Sequence, residues 1–437
     1  MLPRNAPAWL ERLSTWLEPF EDCFGHVAQR GAFRRYLLGL LGDSRRKSMS
    51  AMLARVYDPS TYQAFQHFIT DAPWSAALVW RRLRAVMPER TGVLILDGTS
   101  FPKQGTASVG VARQYCGALG KVANCQVAVT AALWNGTRAW MLGATLYLPE
   151  EWVTASQRLR ARIPAGVRFQ PKWELALTLL RQVRAAGITV TAVLGDAEFG
   201  DNATLRRTLH RAQLPYAVGV SSTLKVFLGT PTLVPPAPVP GKGRPRTRPT
   251  LPPDVAALEA RAWAAAQPAR AWRLVSWRNG TNPAWRARFC AVRVTPTHDW
   301  RERRLAPEVW LLCERGLGAE GRAKYYLVNL PATTSLRALV RLAHQRWAIE
   351  QQYQELKDEL GLDHFEGRTW PGWERHVALT ALAYTWLQTE RQRRGVKAPT
   401  LPVVRAVITE IITAHFFVTH PHYLDTMLKL RKINLRI

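Results

Sequence analysis

Apolar positions along the chain follow two rhythms, and the places where one gives way to the other divide the sequence. In the first ninety residues, Phe33-Arg34-Arg35-Tyr36-Leu37-Leu38-Gly39-Leu40-Leu41 and Tyr62-Gln63-Ala64-Phe65-Gln66-His67-Phe68-Ile69 are apolar at helical spacing, which predicts a helical domain over 1–90. From 91 to 222 the pattern predicts strands over 109–113, 125–133, 140–148 and 216–220, with a helix over 174–185. Two further apolar runs in this part, Val93-Leu94-Ile95-Leu96 and Val190-Thr191-Ala192-Val193-Leu194, read as buried strands. Residues 223–330 open with a Pro/Arg-rich loop. They continue with period-two alternation in Trp272-Arg273-Leu274-Val275-Ser276-Trp277-Arg278 and Ala287-Arg288-Phe289-Cys290-Ala291-Val292-Arg293-Val294, the pattern of antiparallel strands with one basic face and a small core of their own. Helical spacing returns over 331–390, with a predicted helix from Leu336 to Leu360 and an apolar one around 377–387. The remainder, 391–437, reads as an amphipathic helix over 404–417 and a basic tail. The fold class is therefore mixed α/β, with helices at both ends and a β-rich interruption.

Composition narrows the partners. Sixty Lys and Arg face thirty-two Asp and Glu among 437 residues, a formal net charge of +28, which points to a polyanion and above all to nucleic acid. No apolar run of about twenty residues and no leader-like apolar start is evident, so the expectation is a cytoplasmic, nucleoid-associated bacterial protein with no membrane partner. Cys23, Cys116, Cys125, Cys290 and Cys313 are odd in number and widely spaced, which signals neither a disulfide framework nor a zinc site. The run from Pro231 to Pro249 carries too much proline for a core element. Its Gly243-Arg244-Pro245-Arg246 is compatible with a minor-groove hook or with an ordinary basic linker.

The candidate chemistry lies in three acids. Asp97 closes one buried run before Gly98-Thr99, Asp196 closes the other before Ala197, and each is read as a carboxylate at a strand tip followed by a turn. Downstream, Arg346, Glu350, Tyr353 and Lys357 share one face of a helix. Two strand aspartates and a helical glutamate suit a pair of hard divalent ions, which take carboxylate oxygens and leave room for water and phosphate. Taken singly, each Asp also suits a helix cap, and the helix face suits plain i,i+4 ion pairing.

Together these residues resemble the DDE transposases of bacterial insertion sequences, in the subgroup with a β-strand insertion and a Y-x2-R-x3-E-x6-K signature. Arg346, Glu350 and Lys357 match its R, E and K, while Ala343 stands where the signature has tyrosine. Asp97-Gly98-Thr99, Gly195-Asp196-Ala197-Glu198-Phe199-Gly200-Asp201-Asn202, the stretch Ser108–Gly117 and the stretch Glu359–Arg368 are similar to motifs of the same enzymes. The resemblance implies a ribonuclease-H-like catalytic core, 91–222 and 331–390, interrupted by the insertion, with an N-terminal helical domain that binds DNA. It implies that Asp97, Asp196 and Glu350 are the catalytic metal ligands, holding two Mg²⁺ or Mn²⁺ ions per active site. It further implies that Arg346 and Lys357 hold phosphates, with Glu198 and Asp201 as weaker candidates nearby. The implied activity is cleavage at the element's terminal inverted repeats and joining of the 3′ ends to target DNA, by a homodimer in the synaptic complex. Arg45, Arg46 and Lys47 are candidates for phosphate contact at a helix start or for a solvated loop. Trp310, Tyr325 and Tyr326 are candidates for stacking a flipped base, or simply for packing. An inactive transposase-derived regulator and a ribonuclease-H-like nuclease are the rival readings.

Overall fold

The computed structural model describes residues 6–56, 62–235, 249–278, 285–298, 304–317, 323–393, 398–419 and 421–422. The proposed hook 243–246 and the basic tail 429–436 lie outside the described residues. Five helices come first: α1 (Ala6–Leu17), α2 (Val27–Leu41), α3 (Met49–Val56), α4 (Tyr62–Thr70) and α5 (Ala76–Val86). The strands β1 (Thr91–Pro102), β2 (Ala112–Cys116), β3 (Lys121–Trp134) and β4 (Ala139–Leu146) follow. Next are α6 (Ala155–Arg160), α7 (Lys172–Ala185), β5 (Thr189–Gly195), α8 (Ala197–Gly200), α9 (Ala203–Arg211), β6 (Tyr216–Val220) and β7 (Lys225–Leu228). The insertion contributes β8 (Leu258–Glu259), α10 (Ala260–Ala265), β9 (Arg273–Ser276), β10 (Arg286–Pro296), β11 (Val309–Arg315) and β12 (Lys324–Val328). The chain closes with α11 (Leu336–His344), α12 (Trp347–Gln354), a π-helical turn over Glu355–Glu359, α13 (Trp370–Gln392) and α14 (Leu401–Thr419).

The class read from the sequence holds, mixed α/β with a sheet, flanking helices and a β-rich insertion, but the insertion is no separate sheet. Among the described residues all twelve strands belong to one sheet, because β12 pairs antiparallel with β6 and carries β11, β10, β7 and β8 onto the end of β2-β3-β1-β5-β6. The core follows that continuity. Leu94, Val193 and Val218 share one buried cluster with Val294, Leu311, Cys313 and Leu327, so the expected private core of the insertion does not exist. The predicted strand over 109–113 is also displaced. Val109 and Val111 are buried before the strand, and β2 itself runs 112–116.

One helix joins the two ends of the chain to the sheet. α13 is buried around most of its circumference, a helix enclosed on all sides, and it packs against β4 as well as α2, α4, α5 and α14. Trp9, Phe33, Phe68, Trp373, Leu382 and Ile408 consequently lie in a single core. The polar groups in that core are paired. Arg375 donates to the carbonyls of Ile69, Ala72 and Trp74 at 3.0, 2.6 and 2.8 Å, which satisfies a buried cation with main-chain oxygens. Against the expectation of no span-like apolar run, α14 has the length and apolarity of a membrane span over Leu401–Val418. In this fold Leu401, Val404, Ile408 and Ile411 are buried in the shared core, and Thr409 donates to the carbonyl of Leu41 at 2.7 Å.

His376 on α13 is the polar centre of this joint. Its Nε2 is 3.0 Å from the Gly361 carbonyl, which can only accept, so Nε2 carries the proton and Nδ1 accepts from the Tyr36 hydroxyl at 2.8 Å. Gly361 itself has φ +65, and a Cβ there would come within 2.6 Å of both the His364 Nδ1 and the Lys47 Cγ atoms, so only glycine fits. Burial holds the His376 imidazole down to about 4. Because the folded value lies below the ordinary 6.5, the unfolded chain binds the proton more readily between the two. This residue's contribution is full above about pH 6.5, shrinks as pH falls, and is gone below about pH 4.

Two tests follow from this joint. Urea unfolding of the wild type is expected to lose about 3 kcal/mol more than His376→Gln between pH 7 and pH 4, and parallel profiles would contradict the assignment. A chain beginning at residue 91 is expected to lack cooperative unfolding by near-ultraviolet circular dichroism, since it bares the α13 face. A soluble truncation that melts cooperatively would show that the joint is dispensable.

Candidate active site

β1 and β5 are parallel neighbours in register, Ile95 opposite Leu194, so Asp97 and Asp196 each stand two residues further on, at one level and on one face. The face is fixed by what Ile95 and Leu194 touch, a cluster that includes Leu339, Val340, Ala348 and Ile349 of α11 and α12. Asp97 is not at a strand tip as the sequence suggested. β1 continues to Pro102, and Asp97 pairs with Thr130 of β3 at the level where β5 has ended. A long β3 partner keeps Gly98-Thr99 extended where a turn was expected. Asp196 does end its strand, and its carboxylate caps α8 by accepting from the Glu198 amide at 3.0 Å. The turn is tight: a Cβ on Gly200 would lie 1.8 Å from the Gly219 carbonyl oxygen, so glycine lets α8 sit against β6.

The third acid arrives on a helix that is interrupted where the sequence predicted one continuous element. α11 ends at His344, α12 begins at Trp347, and Arg346 lies at the joint. Its guanidinium donates to Asp97 Oδ2 at 3.0 Å and to Glu350 Oε1 at 2.8 Å, so one cation ties the strand acid to the helix acid. Asp97 is buried and Glu350 is 63% exposed at its side chain. Burial first, then the neighbouring Asp196 and Glu350 charges, push the Asp97 carboxyl up to about 7 against the pull of Arg346. Burial works against the Arg346 charge, yet Asp97, Glu350 and Asp196 together raise its pKa.

Tyr353 and Lys357 share the predicted face and are used internally. The Tyr353 phenol is 2.6 Å from Thr130 Oγ1, and burial raises its pKa well above the ordinary value. Lys357 Nζ donates to the Ser100 carbonyl at 3.0 Å. Glu198 pairs with Lys172 at 2.5 Å and comes close to Gly98, whereas Asp201 accepts from the Ser221 amide at 2.9 Å, a structural role.

Other candidates separate in the fold. Lys47 is buried, its Nζ donating to the Gly42 carbonyl at 2.5 Å, so it is no phosphate contact. Arg45 is exposed, and Arg46 is exposed and paired with Glu366. Tyr325 is buried in the core on the side of the sheet away from Glu350, because adjacent residues of a strand face opposite ways. The Trp310 indole donates to the Pro331 carbonyl at 3.1 Å beneath Arg293. Tyr326 lines a cavity of about 400 Å³ beside Glu350 and Arg346, and its hydroxyl donates to Glu314 at 2.9 Å. The other aromatic walls are Trp277, Trp285, His344 and Trp347. Trp277 stacks on His344 at 3.8 Å, and the Arg278 guanidinium lies 4.1 Å from the Trp347 ring and 4.7 Å from that of Trp285. These residues were missed because Trp and Arg alternate through the whole insertion, and alternation alone does not tell which strand ends beside α12. Ala343 also lines this cavity, which leaves open space where the signature phenol would stand.

Among the described residues no three His, Cys, Asp or Glu side chains already form a metal-holding group. Arg346 spans Asp97 and Glu350 instead. The donor set nevertheless fits a hard divalent cation, being carboxylate oxygens only, with mutual repulsion that such an ion would offset.

The chain is similar to the probable transposase for insertion sequence element IS701 of Microchaete diplosiphon, 28% identical over 226 residues that make up 50% of this chain and 56% of the relative. It thus spans little more than half the length of that curated relative. Residues 19–284 match the DDE superfamily endonuclease family, a stretch that includes Asp97 and Asp196 and ends before Glu350, whose place rests on the Arg346 bridge. The chain belongs to the DDE superfamily endonucleases.

Proposed function

We propose that this protein is the transposase of an insertion sequence, which binds the terminal inverted repeats of its own element, cleaves phosphodiester bonds there and joins the 3′ ends to target DNA as a dimer. The observation that carries the reading is the convergence of Asp97 and Asp196, level on parallel strands, with Glu350 held to Asp97 through Arg346. Asp97, Asp196 and Glu350 would hold two Mg²⁺ or Mn²⁺ ions, which when bound sharpen an attacking water or 3′-hydroxyl and neutralise the leaving oxygen. The chain supplies position. Arg346 orients two of the acids and, as a partly exposed cation lining the cavity beside them, would attract a phosphate oxygen. Tyr353 and Thr130 brace β3 behind Asp97, and Lys357 fixes the helix to β1 while keeping positive charge beneath the site. The protein would work in the cytoplasm at the nucleoid, with Arg45 among the exposed cations of the N-terminal helices available to DNA phosphates.

The test uses duplexes carrying the terminal repeats read from DNA flanking the gene. Asp97→Asn, Asp196→Asn and Glu350→Gln are each expected to lower strand cleavage on the order of 10³-fold, by losing several kcal/mol of transition-state stabilisation. End binding should stay within about threefold. A variant retaining more than a few per cent of cleavage would remove that residue from the site, and a wild type inert on its own ends with every divalent ion would favour the inactive-regulator reading.

The aromatic cavity suggests how the second strand is opened. A flipped base beside the cleavage point would stack in the cavity of Trp277, Trp285 and Tyr326, displacing the earlier candidates Trp310 and Tyr325. Trp285→Ala is expected to leave first-strand nicking intact and to slow hairpin formation about tenfold or more, as loss of roughly 1–3 kcal/mol of stacking requires. Trp310→Ala should behave as wild type on the same denaturing gels, and equal hairpin rates for all three proteins would sink the idea.

A further inference from the structure

The β2–β3 hairpin has a surface that the catalytic reading leaves unused. Its two strands pair Arg113 with Asn124 and Tyr115 with Val122, and its turn carries Leu119. Tyr115 is 65% exposed, Val122 54% and Leu119 48%, an apolar tip with the exposed Arg113 on the face of Tyr115 and Val122 and the exposed Lys121 on the other face at the hairpin end. The tip is rigidly mounted. Cys116, Cys125 and Val127 are buried beneath it, the Ala118 amide donates to Ser100 Oγ at 2.9 Å, and Gln126 Nε2 donates to the Val109 carbonyl at 2.6 Å. Its charge is one-sided, because the sequence holds no Asp or Glu between Asp97 and Glu150.

Position connects this tip to the acids. Asp97 pairs with Thr130, and residues taken two at a time along β3 from Thr130 reach Asn124 and Val122 on the same face of the sheet. β1 and β3 extend past the end of β5, so the hairpin projects beyond the catalytic end of the sheet. From Thr130 to Val122 is eight residues, roughly 26 Å at about 3.3 Å each, or about eight base pairs of duplex at about 3.4 Å each.

We propose that this hairpin is a second DNA contact, a ribbon laid on the duplex about eight base pairs from the scissile phosphate. Arg113 neutralises a phosphate on the face it shares with Tyr115 and Val122, Lys121 at the end of the hairpin takes one from the other face, and Tyr115, Leu119 and Val122 press into the groove. A two-stranded ribbon fits the width of the major groove. The inference rests on the proposed function, since it needs DNA at the acids. It adds a contact whose partner is chosen by charge and by its shared face with Asp97.

The experiment measures fluorescence-anisotropy binding of random-sequence duplexes of 10 and 20 base pairs across a salt series. The proteins are the wild type, Arg113→Glu/Lys121→Glu and the conservative Arg113→Lys/Lys121→Arg. The wild type should bind 20 base pairs at least tenfold more tightly than 10, and the charge reversal should lose that gain. Its log K versus log salt slope should be shallower by about two on the longer duplex, while the conservative pair keeps both. Tyr115→Ala should weaken only the longer duplex. Equal affinity of charge-reversed and wild-type protein for the longer duplex, with metal-dependent cleavage intact, overturns the hairpin contact and leaves the function standing. Equal weakening on both lengths places the pair elsewhere and also overturns it. A wild type that binds neither duplex overturns both readings.

Discussion

A guanidinium shared by two carboxylates is what allows three acids to occupy one corner of this core. Asp97 is almost fully buried, and the Asp196 and Glu350 charges add to burial in disfavouring its ionised form. Arg346 offsets that repulsion and sets the distance between strand and helix at once, since its two donors reach Asp97 and Glu350. Arg346 sits at the break between α11 and α12 with helical φ and ψ, so it keeps the one-turn spacing that brings it to Glu350 while its other donor reaches Asp97 on β1. The same bridge explains why the acids do not stand as a ready metal cage: the place between Asp97 and Glu350 is already occupied by positive charge.

The two aspartates were legible because each ends a run of branched and aliphatic residues, and a charge at such a point has no packing role to explain it. What no local pattern shows is register. That Ile95 lies opposite Leu194 makes the two acids neighbours, and this comes from the parallel pairing of strands about a hundred residues apart. Lys47 failed for the converse reason. Arg45-Arg46-Lys47 looks like one basic patch, but Lys47 is covered by the turn at Gly361 and His364, which arrives from more than three hundred residues away. The insertion strands were readable from alternation, and their merger into the catalytic sheet was not, because β6 offers an edge whose partner is chosen by shape rather than by composition. The tryptophans divide by that merger, Trp277, Trp285 and Trp347 facing the site and Trp310 bonding to the chain at Pro331.

The distribution of glycines and buried polar groups shows how the ends of the chain serve this corner. α12 is followed by a π-helical turn and then by Gly361, the carbonyl of which is held by His376, and His376 is held by Tyr36 of α2. Lys103, just past the end of β1, reaches the Phe365 carbonyl at 2.6 Å, so the segment after the Glu350 helix is tied to the strand that carries Asp97 as well. Each of these contacts is a buried or half-buried hydrogen bond with a single partner geometry, and losing one partner leaves a polar group without water. The N-terminal helices are therefore packed into the same core as the segment that follows α12. α12 is thus held at its N-terminal end by the Arg346 bridge to Asp97 and beyond its C-terminal end by the Gly361 turn that His376 and Tyr36 fasten, so the position of Glu350 is set from both sides.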